Sequence, residues 1–402
     1  MPPRRPPSLR TPKAAHFLLN SLPFARPTTF CDVGANPIVP PPYAALLAAG
    51  GCKVIGFEPN PEAFADLEKS KGPHEIYFPH AVGDGGLHQL HLYQSAGFTS
   101  ILQPHLPGMR AVGSPGWGRI RGSVDIQTVA LDRMPGLPPF DCLKIDIQGG
   151  EGLVLPHATE ALKNAVMVII ELRWLQLYEG EPMAGGVDNE LRAQGFMPHK
   201  FLFNKAAMLA NSQRARLYKS QNPDQLIDGD VVYLRHPGRL DTYTDDQLCH
   251  AALLGAAVID SHSLAVAALD ELVRRGRVEA DAPARYVDLL PDTLRAATPP
   301  PPRDTSRIEA RQARRQLRAQ ASTASAETDS AAATAAAAPP AGATEAPATA
   351  EARPAAKAKT ATQAAPKPHP GSKATAAAKP AAKAKPPATK AKPPARLSAK
   401  GK

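Results

Sequence analysis

Four acidic residues stand at, or just beyond, the C-terminal ends of apolar runs that have the character of β-strands. They are Asp32, Glu58, Asp146 and Glu171. In an open parallel sheet, ligands bind at the edge formed by the carboxyl ends of the strands. One acid at such a position is common, whereas four in separate runs predict a shared binding edge.

Asp32 and Glu58 lie 26 residues apart, which is the length of one strand–helix–strand unit. An acid that ends the second strand is well placed to accept hydrogen bonds from both ribose hydroxyls of an adenine nucleotide. Two cofactors meet that description, NAD and S-adenosylmethionine. A purely structural role, in which the two acids only cap loops, is the competing interpretation.

The loop in the stretch FCDVGANPIVPPPY (30–43) separates these two cofactors. A pyrophosphate requires a glycine-rich turn that opens directly into a helix N-terminus. Here the prolines remove backbone donors. S-adenosylmethionine carries no phosphate and needs one close backbone approach, at Gly34, and acceptors for its ammonium and ribose groups. The loop therefore favours the methyl donor, and Asp32 suits its cationic methionine end.

The run LKIDIQGGE (143–151) adds a second group of candidates. Asp146 ends a buried strand, and Gly149-Gly150 allows a tight turn beside it. Lys144 points to the same face as Asp146, so the pair could orient a substrate hydroxyl or simply neutralise itself. Glu151 falls in the first turn of the next helix, where it could be a ligand or a partner of the helix dipole.

Alternating strands and helices predict a parallel α/β sheet with right-handed crossovers. Continuous apolar runs such as VMVII indicate strands that are covered on both faces. Helices are predicted from Pro41-Pro42, from Asn60-Pro61 and over VDNELRAQ. The predicted strands are 28–33, 53–57, 75–82, 140–147, 166–172, 199–203 and 230–235.

Two further segments fit this alternation less well. Residues 92–131 are rich in Gly, Pro and Ser and are predicted to be a lid or a surface loop, in which Thr99, Ser100 and Trp117 could shape an acceptor pocket. Residues 244–276 have helical periodicity broken near Asp260-Ser261, which predicts a helical hairpin, and ARYVDLL predicts another helix.

The positive charge belongs to the C-terminal tail. Residues 303–402 contain 19 Lys/Arg and 6 Asp/Glu, a net of +13, whereas the whole chain carries +10, so residues 1–302 carry −3. The tail is almost entirely Ala, Pro, Lys, Thr and Ser, which predicts disorder. It could contact nucleic acid or another polyanion without specificity, or it could be a low-complexity extension without a partner.

The four cysteines are scattered without a CxxC pair, so no zinc site or disulfide framework is predicted. Buried thiols in a reducing compartment are the expectation. The N-terminus lacks a signal-peptide core, and no apolar run approaches the roughly 20 residues that span a bilayer. We therefore expect a soluble, cytoplasmic protein that binds no metal.

Several ordered blocks resemble the FkbM-type S-adenosylmethionine-dependent methyltransferases over about residues 28–236. The blocks are FCDVGAN, VIGFEPNPEAF, HAVGDGG, FTSIL, LDRMPGLPPFDCLKIDIQGGEGLVLPHA and VMVIIELRW. The resemblance implies a Rossmann-like class I methyltransferase fold, with a mostly parallel seven-stranded sheet, flanking helices and a final antiparallel strand. It also implies O-methylation of a sugar or polyketide-type hydroxyl.

Carried over by position, the resemblance implies roles for individual residues. Asp32, Gly34 and Asn36 would line the methionine end of the cofactor, Glu58 and Asn60 the ribose side, and Asp84 the adenine. Asp146 would lie beside the reactive methyl group, with Lys144 next to it as a second catalytic candidate. Pro37 replaces a helix-opening glycine, and Gln148 replaces an acid of the usual block DVEGAE, which puts any role for an acid at 148 in doubt.

The combined prediction has four parts: an N-terminal extension (1–27), a methyltransferase domain (28–238), a helical appendage (239–298) and a disordered basic tail (299–402). The predicted activity is methyl transfer from S-adenosylmethionine to a hydroxyl of a glycan, glycolipid or polyketide-type acceptor. Two alternatives stay open at this stage: an NAD(P)-dependent oxidoreductase, and an inactive nucleic-acid-associated protein that acts through its tail.

Overall fold

The protein contains ten β-strands and nine α-helices within the residues that its computed structural model describes, 8–36 and 38–296. Pro37 and the tail at 299–402, with its predicted disorder and polyanion contacts, lie outside them. The strands are β1 (Thr29–Val33), β2 (Lys53–Phe57), β3 (Glu75–Phe78), β4 (Ala81–Val82), β5 (Leu87–Tyr93), β6 (Ile120–Val129), β7 (Cys142–Ile145), β8 (Met167–Arg173), β9 (Phe196–Ala207) and β10 (Gln225–Arg235).

The helices alternate with these strands in the first two thirds of the described chain and then follow one another. They are α1 (Pro12–Ser21), α2 (Ala44–Ala48), α3 (Pro61–Ser70), α4 (Leu106–Ala111), α5 (Glu151–Val154), α6 (Ala184–Ala193), α7 (Asp245–Ala257), α8 (His262–Arg274) and α9 (Ala282–Asp288). None of these helices is long and apolar enough to cross a lipid bilayer. The cytoplasmic location stays a prediction.

Seven strands form one sheet in the order β3-β2-β1-β7-β8-β10-β9. β3, β2, β1, β7 and β8 pair in parallel, while β10 runs antiparallel to both of its neighbours. Chain order reverses beside β1, where the sheet continues to β7. Such a switch point leaves a crevice between the loops that follow the two strands. The mixed α/β sheet with a last, antiparallel strand confirms the predicted fold class.

Both faces of the sheet are covered, as the continuous apolar runs predicted. Alternate residues of β1 enter different clusters, Phe30 on one face and Cys31 and Val33 on the other. The first cluster also takes in side chains from α1, α7, α8 and α9, and the second takes in side chains from α5 and α6. All four cysteines are buried free thiols.

The predicted element bounds need three corrections. The run 75–82 breaks into β3 and β4, and β4 leaves the main sheet to pair with β6. β9 and β10 are longer than predicted and form a hairpin that extends past β8. Glu171 lies within β8, fifth of its seven residues, and does not end the strand.

The predicted lid at 92–131 is also only partly irregular. Its second half contains β6, which pairs antiparallel with β5 and makes a second, three-stranded sheet with β4. The sequence IRGSVDIQTV alternates poorly because most of its side chains are exposed, so its strand character was hidden. The segment between β5 and β6, which contains α4, packs on a small hydrophobic cluster around Met109, Val112 and Ile227.

The helical predictions near the C-terminus are confirmed. α7 and α8 form the hairpin, with the break at Val258–Ser261, and Thr244 and Gln247 form a capping box at the start of α7. α9 corresponds to the predicted ARYVDLL helix. α1 packs against α7 and α9, so the N-terminal and C-terminal helices contribute to one core cluster. The four domain boundaries stay predictions.

A buried ion-pair network fastens these helices to the sheet at the edge opposite the strand carboxyl ends. Asp141 precedes β7, is fully buried and receives two hydrogen bonds from Arg26, at 2.8 and 2.6 Å. It also accepts the Thr29 backbone N–H at 2.8 Å. His250 of α7 is buried beside it, and its Nδ1 lies 2.8 Å from the Thr28 hydroxyl. Burial lowers the pKa of His250.

Replacement of Asp141 by alanine should destabilise the fold by about 3 kcal/mol, because it leaves Arg26 and a buried amide without their acceptor. Urea unfolding of the full chain measures this loss. The control is Glu68→Ala, which removes a surface pair with Lys71 at 2.7 Å and should cost less than about 1 kcal/mol. Equal losses for the two variants would contradict a structural role for the network.

Candidate functional site

A cleft of about 1620 Å³ lies over the carboxyl ends of β1, β2 and β7 and is closed on one side by the β5–β6 hairpin. Asp32, Glu58 and Asp146, which the sequence placed on this edge, all line it. Glu171 is not among the lining residues. Asp230 of β10 lies opposite Glu171 and does line the cleft. The structure thus brings three of the four predicted acids to one site and adds a fourth.

Gly34 allows the loops after β1 and β7 to touch. Its φ is +83°, and a Cβ at this position would lie 2.2 Å from the Asp146 carbonyl oxygen. Its N–H and that of Ala35 donate to the Phe57 carbonyl, at 3.1 and 3.0 Å. Only glycine combines this left-handed conformation with so close a backbone contact. Gly34 therefore fixes the three predicted strand ends relative to one another.

Asp32 is buried under the cleft between two partners. The Tyr43 hydroxyl donates to its Oδ2 at 2.5 Å, and Lys144 Nζ lies 3.2 Å from its Oδ1. Lys144 Nζ donates to the Gly34 carbonyl at 3.1 Å, while its approach to Oδ1 is an ion pair without hydrogen-bond alignment. Asp32 Oδ1 is thus neutralised by charge but keeps its capacity to accept a hydrogen bond.

The Lys144 ammonium remains charged in this setting. Burial alone would lower its pKa, but the carboxylates of Asp32 and Asp146 together raise the pKa above its ordinary value. Its contacts go to Asp32 and to the Gly34 carbonyl and not to Asp146, the partner that the sequence suggested. A catalytic role for Lys144 stays a prediction.

Glu58 directly follows β2 and is only 4% exposed. Its Oε1 accepts the Asn60 N–H at 2.8 Å, and the second oxygen has no protein hydrogen bond among the described residues. Burial raises the pKa of Glu58 above its ordinary value, opposed by that hydrogen bond. Asn60 caps α3, with its Oδ1 accepting from Glu62 and Ala63, so only its amide nitrogen is left for a ligand.

Asp84 is the one predicted cofactor residue that the structure does not bring to the cleft. It lies in the turn between β4 and β5, where its Oδ1 accepts from Gly86 N–H at 2.7 Å and contacts His88 Nε2 at 2.8 Å. The His88 hydrogen bond and the Gly86 amide lower the pKa of Asp84 to about 2. Its block reaches the cleft through His80, Ala81 and Val82 instead, and Asn36 lines the opposite side.

The side chain of Gln148 joins two acids beside the cleft. Its Nε2 donates to Asp146 Oδ1 at 2.9 Å and to Glu171 Oε2 at 3.0 Å. Its backbone carbonyl accepts the Ser100 hydroxyl at 2.7 Å, and its φ of +58° is unusual for a residue other than glycine. An acid in this place would repel both carboxylates, which gives a physical reason for an amide at 148.

Behind Gln148, Arg173 neutralises a group of buried acids. Its guanidinium contacts Glu171 at 2.8 Å, Asp228 at 2.9 Å and Glu181 at 3.2 Å. Burial raises the pKa of Glu171 well above its usual range, with the charge of Asp146 adding to the rise and Arg173 opposing it. Burial also raises the pKa of Asp230 to about 6. Burial thus raises the pKa of both Glu171 and Asp230, and the charge of Arg173 limits the rise at Glu171.

Glu151 begins α5 and is buried, and its Oε1 accepts the Ile147 N–H at 3.0 Å. Burial raises its pKa to about 7. Its carboxylate comes within 4.8 Å of those of Asp146 and Glu171. Each of the three already accepts a hydrogen bond from the protein, so their proximity alone does not indicate a metal site. Through its hydrogen bond to Ile147, Glu151 links the loop after β7 to the start of α5.

The three residues suggested for an acceptor pocket do not all lie at the cleft. Thr99 and Ser100 line it, whereas Trp117 stacks on Phe98 in the small cluster outside it. Asp230, the sixth of eleven residues in β10, was not predicted from the sequence, and it reaches the cleft beside Glu171 through the pairing of β10 with β8. No signal in the sequence indicated Tyr43.

Comparison with known families identifies the methyltransferase FkbM domain over residues 32–198. The chain carries an FkbM-type methyltransferase domain. It is an S-adenosylmethionine-dependent methyltransferase, and the predicted resemblance is confirmed. The match begins at Asp32 and ends early in β9, so the strand β10 and helices α7–α9 lie beyond it. No curated protein sequence matches the chain.

Solved structures with some likeness include magnesium protoporphyrin IX methyltransferase from Synechocystis with bound S-adenosylmethionine, at 11% identity and a TM-score of 0.27, covering 56% of this chain and 77% of that one. Precorrin-6y C5,15-methyltransferase from Geobacter metallireducens has 12% identity, a TM-score of 0.27 and coverages of 55% and 86%. The 23S rRNA methyltransferase ErmE has 10% identity and a TM-score of 0.26, and the match covers 70% of this chain and 98% of that one. Scores this low carry no weight for the function of this chain.

The residues of the cleft fit S-adenosylmethionine. Gly34 brings the loops after β1 and β7 together at the cleft, which a Cβ at this position would prevent. Asp32 Oδ1 is a buried acceptor without a hydrogen bond, and the second oxygen of Glu58 accepts none from the described residues. The loop after β1 runs ten residues before α2 begins, so no helix N-terminus stands there for a pyrophosphate. The described residues of this loop form no phosphate cradle, which agrees with a methyl donor and not with NAD.

Replacement of Glu58 by alanine should weaken S-adenosylmethionine binding at least about tenfold, because it removes a buried acceptor at the end of β2. Isothermal titration calorimetry of the full chain measures it, with Glu68→Ala on the outer face of α3 as the matched control. Because the pKa of Glu58 is raised, wild-type affinity should fall as the pH drops through that raised value, a dependence that Glu58→Gln should lack. Unchanged affinity in Glu58→Ala would contradict the assignment.

Replacement of Gln148 by glutamate tests the amide bridge. The change removes both donor hydrogen bonds and adds a charge beside Asp146 and Glu171, so it should cost about 2 kcal/mol at pH 8. The loss should shrink as the pH falls, because protonation of one carboxyl restores a donor. Urea unfolding at pH 8 and at a lower, mildly acidic pH measures the loss of stability. Gln221→Glu on an exposed turn is the control. A pH-independent loss would argue against the bridge.

Proposed function

We propose that the protein O-methylates a hydroxyl of a glycan, glycolipid or polyketide-type acceptor, with S-adenosylmethionine as donor. The observation that carries this is the state of Asp146 on the cleft wall. Gln148 holds its Oδ1, while its Oδ2 accepts no hydrogen bond from the described residues. A carboxylate held by one oxygen and open at the other can accept the proton of a hydroxyl group.

The size of the cleft supports a two-ligand reaction. A volume of about 1620 Å³ exceeds the roughly 300–1,000 Å³ of pockets that take a single small ligand. Glu58, Asp32 and Gly34 lie at the β1–β2 side, and the hairpin residues lie across from them. Donor and acceptor can therefore occupy one continuous space, in which proximity and orientation contribute most of the rate.

The hairpin wall supports an acceptor that has both hydroxyl groups and apolar surface. Arg121 and Asp125 of β6 offer charged hydrogen-bonding groups to the cleft, and Thr99 adds a hydroxyl. Leu92 of β5 and Val124 of β6 line the same space. Sugars and reduced polyketides match such a mixed wall, whereas an acceptor without polar groups would leave the two charges unpartnered.

In this proposal, each residue acts through an interaction that its contacts support. When bound, S-adenosylmethionine supplies an electrophilic methyl group. Asp146 takes the proton of the acceptor hydroxyl as its oxygen becomes a nucleophile. Lys144 holds Asp32 in place through their ion pair and does not itself contact the acceptor. Glu58 and Asn36 hold the donor on either side of Gly34.

Replacement of Asp146 by asparagine should lower the rate of methyl transfer by about 100-fold or more, the range for loss of a general base. The assay follows tritiated methyl transfer from S-adenosylmethionine to a panel of glycans, glycolipids and hydroxylated polyketides, with mass spectrometry of the product. Asp270→Asn, on the exposed side of α8, is the control.

Binding of S-adenosylmethionine by Asp146→Asn should stay within about tenfold of wild type, which separates the chemical role from cofactor binding. Full activity in that variant would remove Asp146 as the base. A methylated nitrogen or carbon in the product would overturn the O-directed part of the proposal and leave the methyltransferase assignment standing.

A further inference from the structure

Residues 85–124 and residues 191–223 contain no acidic residue. This is unexpected in a chain whose first 302 residues carry a net charge of −3. The first stretch covers β5, α4 and the start of β6. The second covers β9 and the turn that leads to β10.

The fold places the two stretches side by side. The Ala210 N–H donates to the Ala111 carbonyl at 2.7 Å. The Arg214 guanidinium lies against Gly113, where an added Cβ would come within 3.0 Å of it. Met109 of the first stretch and Ala207 of the second pack in one hydrophobic cluster. Cations from both stretches therefore share one part of the surface.

We call this surface the basic face and define it by six residues: Arg110, Arg119, Arg121, Arg214, Arg216 and Lys219. Five of them are exposed and Arg214 is half-buried. Within residues 8–36 and 38–296, no carboxylate forms an ion pair with any of the six. Lys205 of the same region is excluded from the definition because it pairs with Asp228 at 3.3 Å.

Exposed apolar side chains stand among these cations. Tyr218 is 80% exposed, Leu209 47% and Leu217 42%, all in or beside the turn between β9 and β10. Tyrosine and leucine interspersed with arginine and lysine suit the headgroup region of a bilayer, where apolar groups enter the acyl boundary and cations meet anionic lipids. Phe201 and Phe203 of β9, 49% and 54% exposed, add further apolar surface within the second stretch.

The basic face also adjoins the cleft. Arg121 belongs to both, and Gly97 and Thr99 of the first acid-free stretch line the cleft as well. A surface bound by the basic face would therefore lie at one side of the cleft entrance.

We propose that the basic face docks the protein on an anionic lipid bilayer, with Leu217 and Tyr218 seated among the headgroups. The occupant is a bilayer because charge complementarity and exposed apolar residues coincide there. The inference does not depend on methyl transfer, and no acceptor is needed to test it.

The test uses the full chain with Tyr218→Cys labelled by an environment-sensitive fluorophore. The four native cysteines are buried, so the label goes to position 218. Vesicles of phosphatidylcholine with phosphatidylserine should shift its emission to shorter wavelength and raise its intensity, and vesicles of phosphatidylcholine alone should not. The matched control is Ile76→Cys, 55% exposed on β3 at the other edge of the sheet, whose label should not respond.

The triple variant Arg214→Gln, Arg216→Gln, Lys219→Gln should weaken the response at position 218 at least about tenfold, and raised salt should do the same. The basic tail could bind vesicles by itself, but such binding would not move the label at position 218 into the bilayer while leaving the label at position 76 in water. Cosedimentation with vesicles while the label at 218 stays unchanged would overturn the proposal. An equal response at position 76, or a response at 218 to RNA but not to vesicles, would overturn it too.

Discussion

The contact between Gly34 and the carbonyl of Asp146 is the constraint on which the rest of the site depends. It occurs at the switch point of the sheet, where the chain leaves β1 on one side and β7 on the other. Because Gly34 has no Cβ, the two loops meet, and the strand-end acids come to one wall of the cleft. With any other residue at 34, the loops would separate and the Lys144–Gly34 hydrogen bond would be lost.

The close packing of acids at this point raises an electrostatic problem that the structure solves in two ways. Asp32 forms an ion pair with Lys144 and accepts a hydrogen bond from the Tyr43 hydroxyl, and these two contacts offset the cost of its burial. Asp146 and Glu171 are separated by an amide, with Arg173 behind it. The contacts of Asp32 hold it as an acceptor for a cationic group. Asp146 has one oxygen that accepts no hydrogen bond from the described residues, so Asp146 can accept a further hydrogen bond or a proton there.

Much of this arrangement could be predicted from the sequence, because it depends on local patterns. The strand ends of β1, β2 and β7, the cap of α3 and the helical hairpin each have a signature within a few residues. The positions of Asp32, Glu58 and Asp146 on one edge then follow from parallel strand order. Asp230 and Tyr43 could not be placed in this way, since their neighbours are distant in the chain. Asp84 lies away from the cleft because its turn folds back on His88 and Thr128.

The hairpin β5–β6 shows why the remaining part escaped prediction. Its exposed strands lack the apolar alternation that marks a half-buried sheet, so Gly, Pro and Ser dominated the interpretation of residues 92–131. The same exposure is what lets the hairpin form a cleft wall with Arg121 and Asp125 on it. Opposite charges therefore lie in different parts of the described structure. Carboxylates lie at the ends of the parallel strands, and the cations of the basic face lie on the side of the β5–β6 hairpin. A cationic donor and an anionic surface would each meet the opposite charge, at adjoining places on one molecule.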